Sequence, residues 1–147
     1  MILRPATLGD VTTIHAIECA SFGDPWSEAS FRTLVTEPRA ITLVAVRDDL
    51  LVGYAIAWHY EDEAELANIA VAPSALRSGV GGALLDDLLR ALDARGVLTV
   101  HLEVRAGNVA AQALYSARGF VVSGRRRGYY RNPSEDAILM KRQMGDG

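Results

Sequence analysis

The chain has 147 residues, half of them hydrophobic and 22% charged, with a formal net charge of -3. That length suits one ordinary domain, 1–147, with a core large enough to need no staples, and the composition excludes a disordered chain and a general polyanion binder. The single cysteine, Cys19, excludes an internal disulfide and points to a reducing, cytoplasmic setting, while no apolar run approaches the ~20 residues that cross a bilayer.

Ile2-Leu3-Arg4 opens the chain as a short apolar strand. Val11, Ile14 and Ile17 then recur at helical spacing, and Gly23-Asp24-Pro25 breaks that pattern. Ser27 is placed to cap a second helix through Glu37, with Phe31, Leu34 and Val35 inward and Pro38 as its stop. Ile41–Val46 and Leu51–Trp58 read as an antiparallel hairpin, and Glu65–Val71 as a third, central strand ended by Pro73.

From Gly81 the period turns helical, with Leu84, Leu85, Leu88, Leu89 and Leu92 on one stripe and Gly96 as terminator. Leu98, Val100, Leu102 and Val104 alternate with Thr99, His101 and Glu103, as strand residues do. Asn108–Arg118 reads as an alanine-rich helix closed by Gly119, and Phe120–Ser123 and Ala137–Met140 as the last strands. The order β-α-α-β-β-β-α-β-α-β-β predicts a mixed α+β sandwich.

The segment Arg77-Ser78-Gly79-Val80-Gly81-Gly82 lies between a buried strand and a strongly amphipathic helix. A first helical turn leaves backbone N–H groups unpartnered and adds positive potential, and glycines let a diphosphate approach those groups. Arg77 would add a charge-assisted contact. The plainer reading is a tight turn. No Gly-Lys-Ser/Thr follows, so a triphosphate-cleaving loop is excluded, and the position differs from that of the dinucleotide fingerprint.

A strand, then Arg-Ser-Gly-Val-Gly, then a leucine-rich helix resembles the acyl-CoA motif of the GNAT superfamily of N-acetyltransferases. The resemblance also runs through Asp24-Pro25-Trp26-Ser27 with Phe31, Asn68–Val71, Leu102–Arg105, Asn108–Tyr115 ahead of Gly119-Phe120, Arg126–Tyr130 and Glu135-Asp136-Ala137. That combination is similar to the RimI-type branch, the ribosomal-protein alanine N-acetyltransferases. One departure is Leu76, where the family's phosphate motif usually opens with Gln or Arg.

The resemblance implies a mostly antiparallel sheet flanked by helices, with a splayed central strand pair that admits the thioester. It implies acetyl-CoA as acyl donor, with Ile69, Ala70 and Val71 pairing their backbone with the pantetheine arm. Arg77, Ser78, Gly79, Val80, Gly81 and Gly82 would take the pyrophosphate, and Asn108 the pantetheine region. Tyr129 and Tyr130 would shape the groove for the first residues of a peptide, with Trp26 a further substrate-side candidate. The implied acceptor is the amino-terminal alanine of small-subunit ribosomal protein 18 or another protein N-terminus. A monomer or weak dimer is expected, with no metal and no direct nucleic acid partner.

Acetyl transfer needs a neutral amine facing the thioester and a proton or positive neighbour for the departing thiolate. Glu103 is the candidate base; an α-ammonium of pKa near ~8 gives up its proton readily. Tyr115 is the candidate acid, seven residues beyond Asn108 and so on its face of the helix. Each has a plainer reading, as a solvent-facing strand Glu and a packing Tyr.

Cys19, Trp58 and, on the plainer reading, Trp26 are packing residues, and His15, His59 and His101 lack metal-ligand spacing, though His101 shares a face with Glu103. Arg125-Arg126-Arg127 with Tyr129-Tyr130 admits RNA contact but suits a substrate-side hairpin better. Glu61, Asp62, Glu63 and Glu65 either attract a basic peptide or solvate a loop. Two rivals stand beside the main reading: an acetyltransferase of a lysine, polyamine or small-molecule amine, and a non-catalytic acyl-CoA-binding sensor.

Overall fold

The computed structural model describes residues 1–144. Its elements follow the expected order: β1 (Ile2–Pro5), α1 (Val11–Ser21), α2 (Glu28–Thr36), β2 (Ala40–Arg47), β3 (Leu50–Tyr60), β4 (Glu63–Val71), α3 (Val80–Ala94), β5 (Thr99–Arg105), α4 (Val109–Ser116), β6 (Val121–Tyr130) and β7 (Glu135–Gln143). The seven strands form one sheet in the order β1-β2-β3-β4-β5-β7-β6, antiparallel throughout except for β4 with β5. Asp48 and Asp49, both at positive φ, make the two-residue turn of the β2–β3 hairpin; a primed turn there matches the strands' twist.

Each face of the sheet carries its own core. The α3 stripe packs on one face, where Leu84, Leu85, Leu88 and Leu92 are fully buried, each contributing about 1.5–3 kcal/mol of hydrophobic burial. On the other face Val11, Ile14 and Ile17 of α1 meet Phe31 of α2 over Val44, Tyr54 and Ile56. Ser27 caps α2 by accepting from the Ser30 N–H at 3.1 Å, as its position predicts.

The functional geometry comes from the middle of the sheet. β4 pairs with β5 only from Glu63↔Thr99 to Leu66↔Leu102, although both strands run on. Between β4 and β3 the register slips at the same place: Ala57 faces Leu66 and Ile56 faces Asn68, leaving Ala67 as an extra residue. Such a bulge bends its strand, and here it turns Ala67–Val71 away from Glu103–Arg105. This is the splayed pair implied by the resemblance.

Several expectations are corrected. Leu98 lies outside β5 and is 52% exposed, because the strand begins at Thr99 and the preceding turn leaves that side chain in solvent. Cys19 is exposed, its thiol 3.5 Å from the His15 imidazole, because it falls one position beyond the apolar stripe of α1. Asn108 stands before α4 as its N-cap, accepting from the Ala111 N–H at 3.1 Å, so the two-turn argument linking it to Tyr115 does not apply. The strand expected at Phe120–Ser123 is instead the ten-residue β6, whose arginines and tyrosines continue the ladder with β7.

Candidate active site

The gap between β4 and β5 opens into a cavity of about 990 Å³. Its wall brings together Trp26 from the α1–α2 loop, Ile69, Ala70 and Val71 of β4, Glu103 of β5, Asn108 and Tyr115 at α4, and Tyr129 and Tyr130 of β6. Of the glycine loop, Gly81 alone is in that wall. Val80 is 1% exposed, so its side chain belongs to the core and only its backbone can serve a ligand.

The loop nevertheless presents a helix start. Gly79 precedes α3 at φ 82, in the left-handed region that glycine adopts without strain, and no side chain caps this end. The first intrahelical bond is Ala83 N–H to the Gly79 carbonyl at 3.1 Å, which leaves the amides of Val80, Gly81 and Gly82 without helical partners. Ser78 donates its hydroxyl to the Ala75 carbonyl, so that group is committed within the turn. A Cβ at Gly82 would meet the guanidinium of Arg118, which is paired with Asp86 at 2.8 Å. Arg118 is thus a cation beside the helix start that sequence pattern does not reveal.

Glu103 lies opposite the buried Leu102 and Val104, its side chain 21% exposed. It accepts from Arg126 at 2.9 Å, and that guanidinium also covers the Tyr129 ring, 4.4 Å from its centroid. Tyr129 is held above the ordinary phenol range, first by its hydrogen bond to Glu103 and then by burial. Burial, followed by the Glu103 charge, pushes Tyr130 up to about 12. Neighbours on a regular strand point to opposite faces, yet these rings meet edge to face at 5.1 Å. The cause is a register slip around Gly128, where the five residues of β6 from Arg126 to Tyr130 oppose the three of β7 from Glu135 to Ala137, with Gly128 at φ 60.

Tyr115 is 6% exposed, packed edge to face on Phe120 at 5.8 Å. Burial, then Tyr130, raises its pKa well above the ordinary phenol value, so the hydroxyl keeps its proton into alkaline solution. The side chain is both the packing residue of the plainer reading and part of the cavity wall.

Two groups in the wall escaped sequence reasoning. Glu18 of α1 is 1% exposed and accepts from the Tyr54 hydroxyl, from Asn68 Nδ2 at 2.8 Å and from the Trp26 N–H at 2.8 Å. The signal was present: Glu18 follows Val11 and Ile14 by seven and four residues, on the apolar stripe. Arg105 stacks on Tyr130, 4.5 Å from its centroid, and donates to the Pro133 carbonyl at 2.8 Å and the Arg131 carbonyl at 2.7 Å. It therefore holds the β6–β7 turn. That turn reaches the α1–α2 loop, because a Cβ at Gly23 would collide with the Asn132 carbonyl. The two loops meet as a roof beside the cavity that residues of both line.

Other candidates have separate partners. His101 pairs with Glu63 at 3.0 Å, and Arg125 with Asp136 at 2.8 Å. Trp26 and Trp58 stack with centroids 6.0 Å apart, and both also line the cavity. Among the described residues no group of three His, Cys, Asp or Glu is arranged to hold a metal.

A helix start with free amides, a parted strand pair and a cavity with a carboxylate and a buried phenol in its wall find their counterpart in known proteins. The model of the acetyltransferase (GNAT) family matches residues 11–120. The chain belongs to the GNAT acetyltransferase family. Among curated relatives of this GNAT protein, the [ribosomal protein bS18]-alanine N-acetyltransferase of Escherichia coli K12 is 41% identical over 89% of either chain. The N-alpha-acetyltransferase RimI of Mycobacterium tuberculosis is 38% identical over 97% of this chain and 96% of its own. The crystal structure of the Escherichia coli ribosomal-protein-S18-alanine N-acetyltransferase superposes with a TM-score of 0.91 at 36% identity, covering 99% of this chain and 95% of that one.

Proposed function

We propose that the chain transfers the acetyl group of acetyl-CoA directly, in a ternary complex, to the α-amine of a protein N-terminus. The acceptor named by its relatives is the N-terminal alanine of ribosomal protein bS18. The observation that carries this reading is the gap between β4 and β5, which opens beside unpartnered helix amides and has Glu103 and Tyr115 in its wall. No helix among the described residues is long and apolar enough to cross a membrane, in keeping with a cytoplasmic acceptor.

The residues present fit acetyl-CoA. The first-turn amides of α3 suit a pyrophosphate, and Ala67–Val71 has an edge that pairs with no strand of the sheet. An extended pantetheine amide can add to that edge as a strand would. When bound, the cofactor supplies an acyl group activated as a thioester. Glu103 takes the proton of the entering ammonium; Arg126 and Tyr129 leave part of its acceptor capacity, since a carboxylate has about four lone-pair sites. Tyr115, held protonated by burial, would offer a hydrogen bond to the sulfur of a bound thioester.

Release of free thiol from acetyl-CoA with N-terminal peptides, lysine peptides and small amines tests the reading. Turnover on Ala-initiated peptides supports it. Turnover confined to lysine or small amines overturns the acceptor, and binding without turnover on any amine overturns the catalysis.

Leu76 is 61% exposed and lies in the cavity wall. Leu76→Arg is expected to tighten acetyl-CoA binding several-fold, about 1 kcal/mol, by adding a guanidinium near the pyrophosphate. Titration calorimetry checks this; an unchanged Kd means that residue 76 does not reach the phosphates.

A further inference from the structure

We propose that Glu65 selects the residue that follows the acetylated one, favouring a cationic side chain there. The inference rests on reading the slot as a site for a protein N-terminus.

Glu65 lies on β4 between Ala64 and Leu66, which are buried in the core beneath α3, so its own side chain points to the opposite face and into the cavity wall. One carboxylate oxygen accepts from the Trp58 indole N–H at 3.3 Å. Neighbouring carboxylates on this face have side-chain partners of their own: Glu63 contacts the His101 imidazole at 3.0 Å and Glu103 pairs with the Arg126 guanidinium at 2.9 Å. Among the described residues Glu65 has no such basic partner. Two other wall carboxylates lack an ion pair: Glu18 is buried and already accepts from three neutral donors, and Asp24 sits exposed in the α1–α2 loop, where water screens it. Glu65 is half-buried, so its charge is more costly to leave uncompensated.

Its surroundings suit a particular occupant. Trp58 stacks on Trp26, and the Tyr129 hydroxyl on the far side feels the Glu65 charge. A carboxylate flanked by aromatic rings offers an ion pair and a cation–π surface to one side chain, a combination that a guanidinium or ammonium on an apolar stem satisfies.

The spacing fits the second residue. Glu65 faces His101 across the parallel pair, and Glu103 is two residues further along β5 on the same face. From the strand spacing and rise, Glu65 and Glu103 are about 8 Å apart at Cα. With the amine at Glu103, one residue of extended chain covers about 3.5 Å of that distance, and a long side chain on the next residue spans the rest.

Four peptides that begin Ala-Arg, Ala-Lys, Ala-Gln and Ala-Glu and are otherwise identical test the proposal through kcat/KM. The native chain is expected to prefer Arg or Lys over Gln by about tenfold. Glu65→Gln keeps an acceptor for Trp58 but no charge, and should bring that ratio close to one; Glu65→Lys should invert the order in favour of Ala-Glu. Ratios taken within one variant are insensitive to its folded fraction. A native ratio near one, a ratio that Glu65→Gln leaves intact, or equal losses on all four peptides would each overturn the proposal, the last because Glu65 would then serve the amine itself. Absence of turnover on every N-terminal peptide overturns the functional reading and this inference with it, whereas turnover without discrimination overturns the inference alone.

Discussion

Tyr115→Phe is expected to lower kcat by roughly 10²-fold, the usual cost of losing one donor aimed at developing charge. Acetyl-CoA affinity should move little, because the ring and its edge-to-face contact with Phe120 are retained. The structure refines what the phenol can do. An ordinary phenol is already a weaker acid than a thiol of pKa near ~8.5, and burial of Tyr115 widens that gap. Its proposed contribution is therefore a hydrogen bond to the sulfur as negative charge builds, without net proton transfer to the thiolate.

The direction of the shift also sets the pH profile. A raised pKa keeps the phenol protonated where an ordinary tyrosine would ionise, so kcat/KM should rise as the acceptor ammonium deprotonates near pH ~8 and show no decline from Tyr115 at pH ~10. Single-turnover rates across pH 6–10 for both proteins measure this. A variant with native single-turnover rates would remove Tyr115 from the chemistry, whereas a native rate that falls near pH ~9 only in the presence of the phenol would show that Tyr115 is not held protonated.

Glu18→Ala should cost about 3–5 kcal/mol of folding stability, or a Tm lower by roughly 10 °C. The substitution leaves the Tyr54 hydroxyl, the Asn68 amide and the Trp26 N–H without an acceptor, in a place almost closed to water. Glu18 also ties three functional elements together: α1 beneath the roof, the bulged part of β4 beside Ala67, and the loop that carries Trp26. The acceptor KM should accordingly rise in Glu18→Gln. Its single amide oxygen can satisfy Tyr54 and Asn68, but its NH2 group then opposes the Trp26 N–H. Denaturant melts and acceptor kinetics test both halves; a loss below about 1 kcal/mol in Glu18→Ala would show that water replaces the carboxylate.

Much of the scaffold was legible because its elements bury one face. The leucine stripe of α3, the alternation of Val100, Leu102 and Val104, and the Ser27 cap each express a local rule with a period or a partner a few residues away. Glu103 could be put opposite the core on that ground, and the helix start at the glycine loop was likewise readable. β6 was not. It is an edge strand exposed along nearly its whole length, so no alternation marks it, and only pairing with β7 makes it a strand.

The chain's local chemistry was enough to establish the order of elements, the amphipathic faces and the glycine-rich helix start, since each depends on residues within a turn or two of one another. The slot itself is a product of contacts between distant segments. The bulge at Ala67 appears only in the register of β4 against β3, the roof only where Gly23 meets Asn132, and the pairing of Tyr129 with Tyr130 only where β6 slips against β7. Glu18 finds its partners 36 and 50 residues away. Such features depend on long-range register, and a pattern read along one segment has no access to the neighbour that sets it.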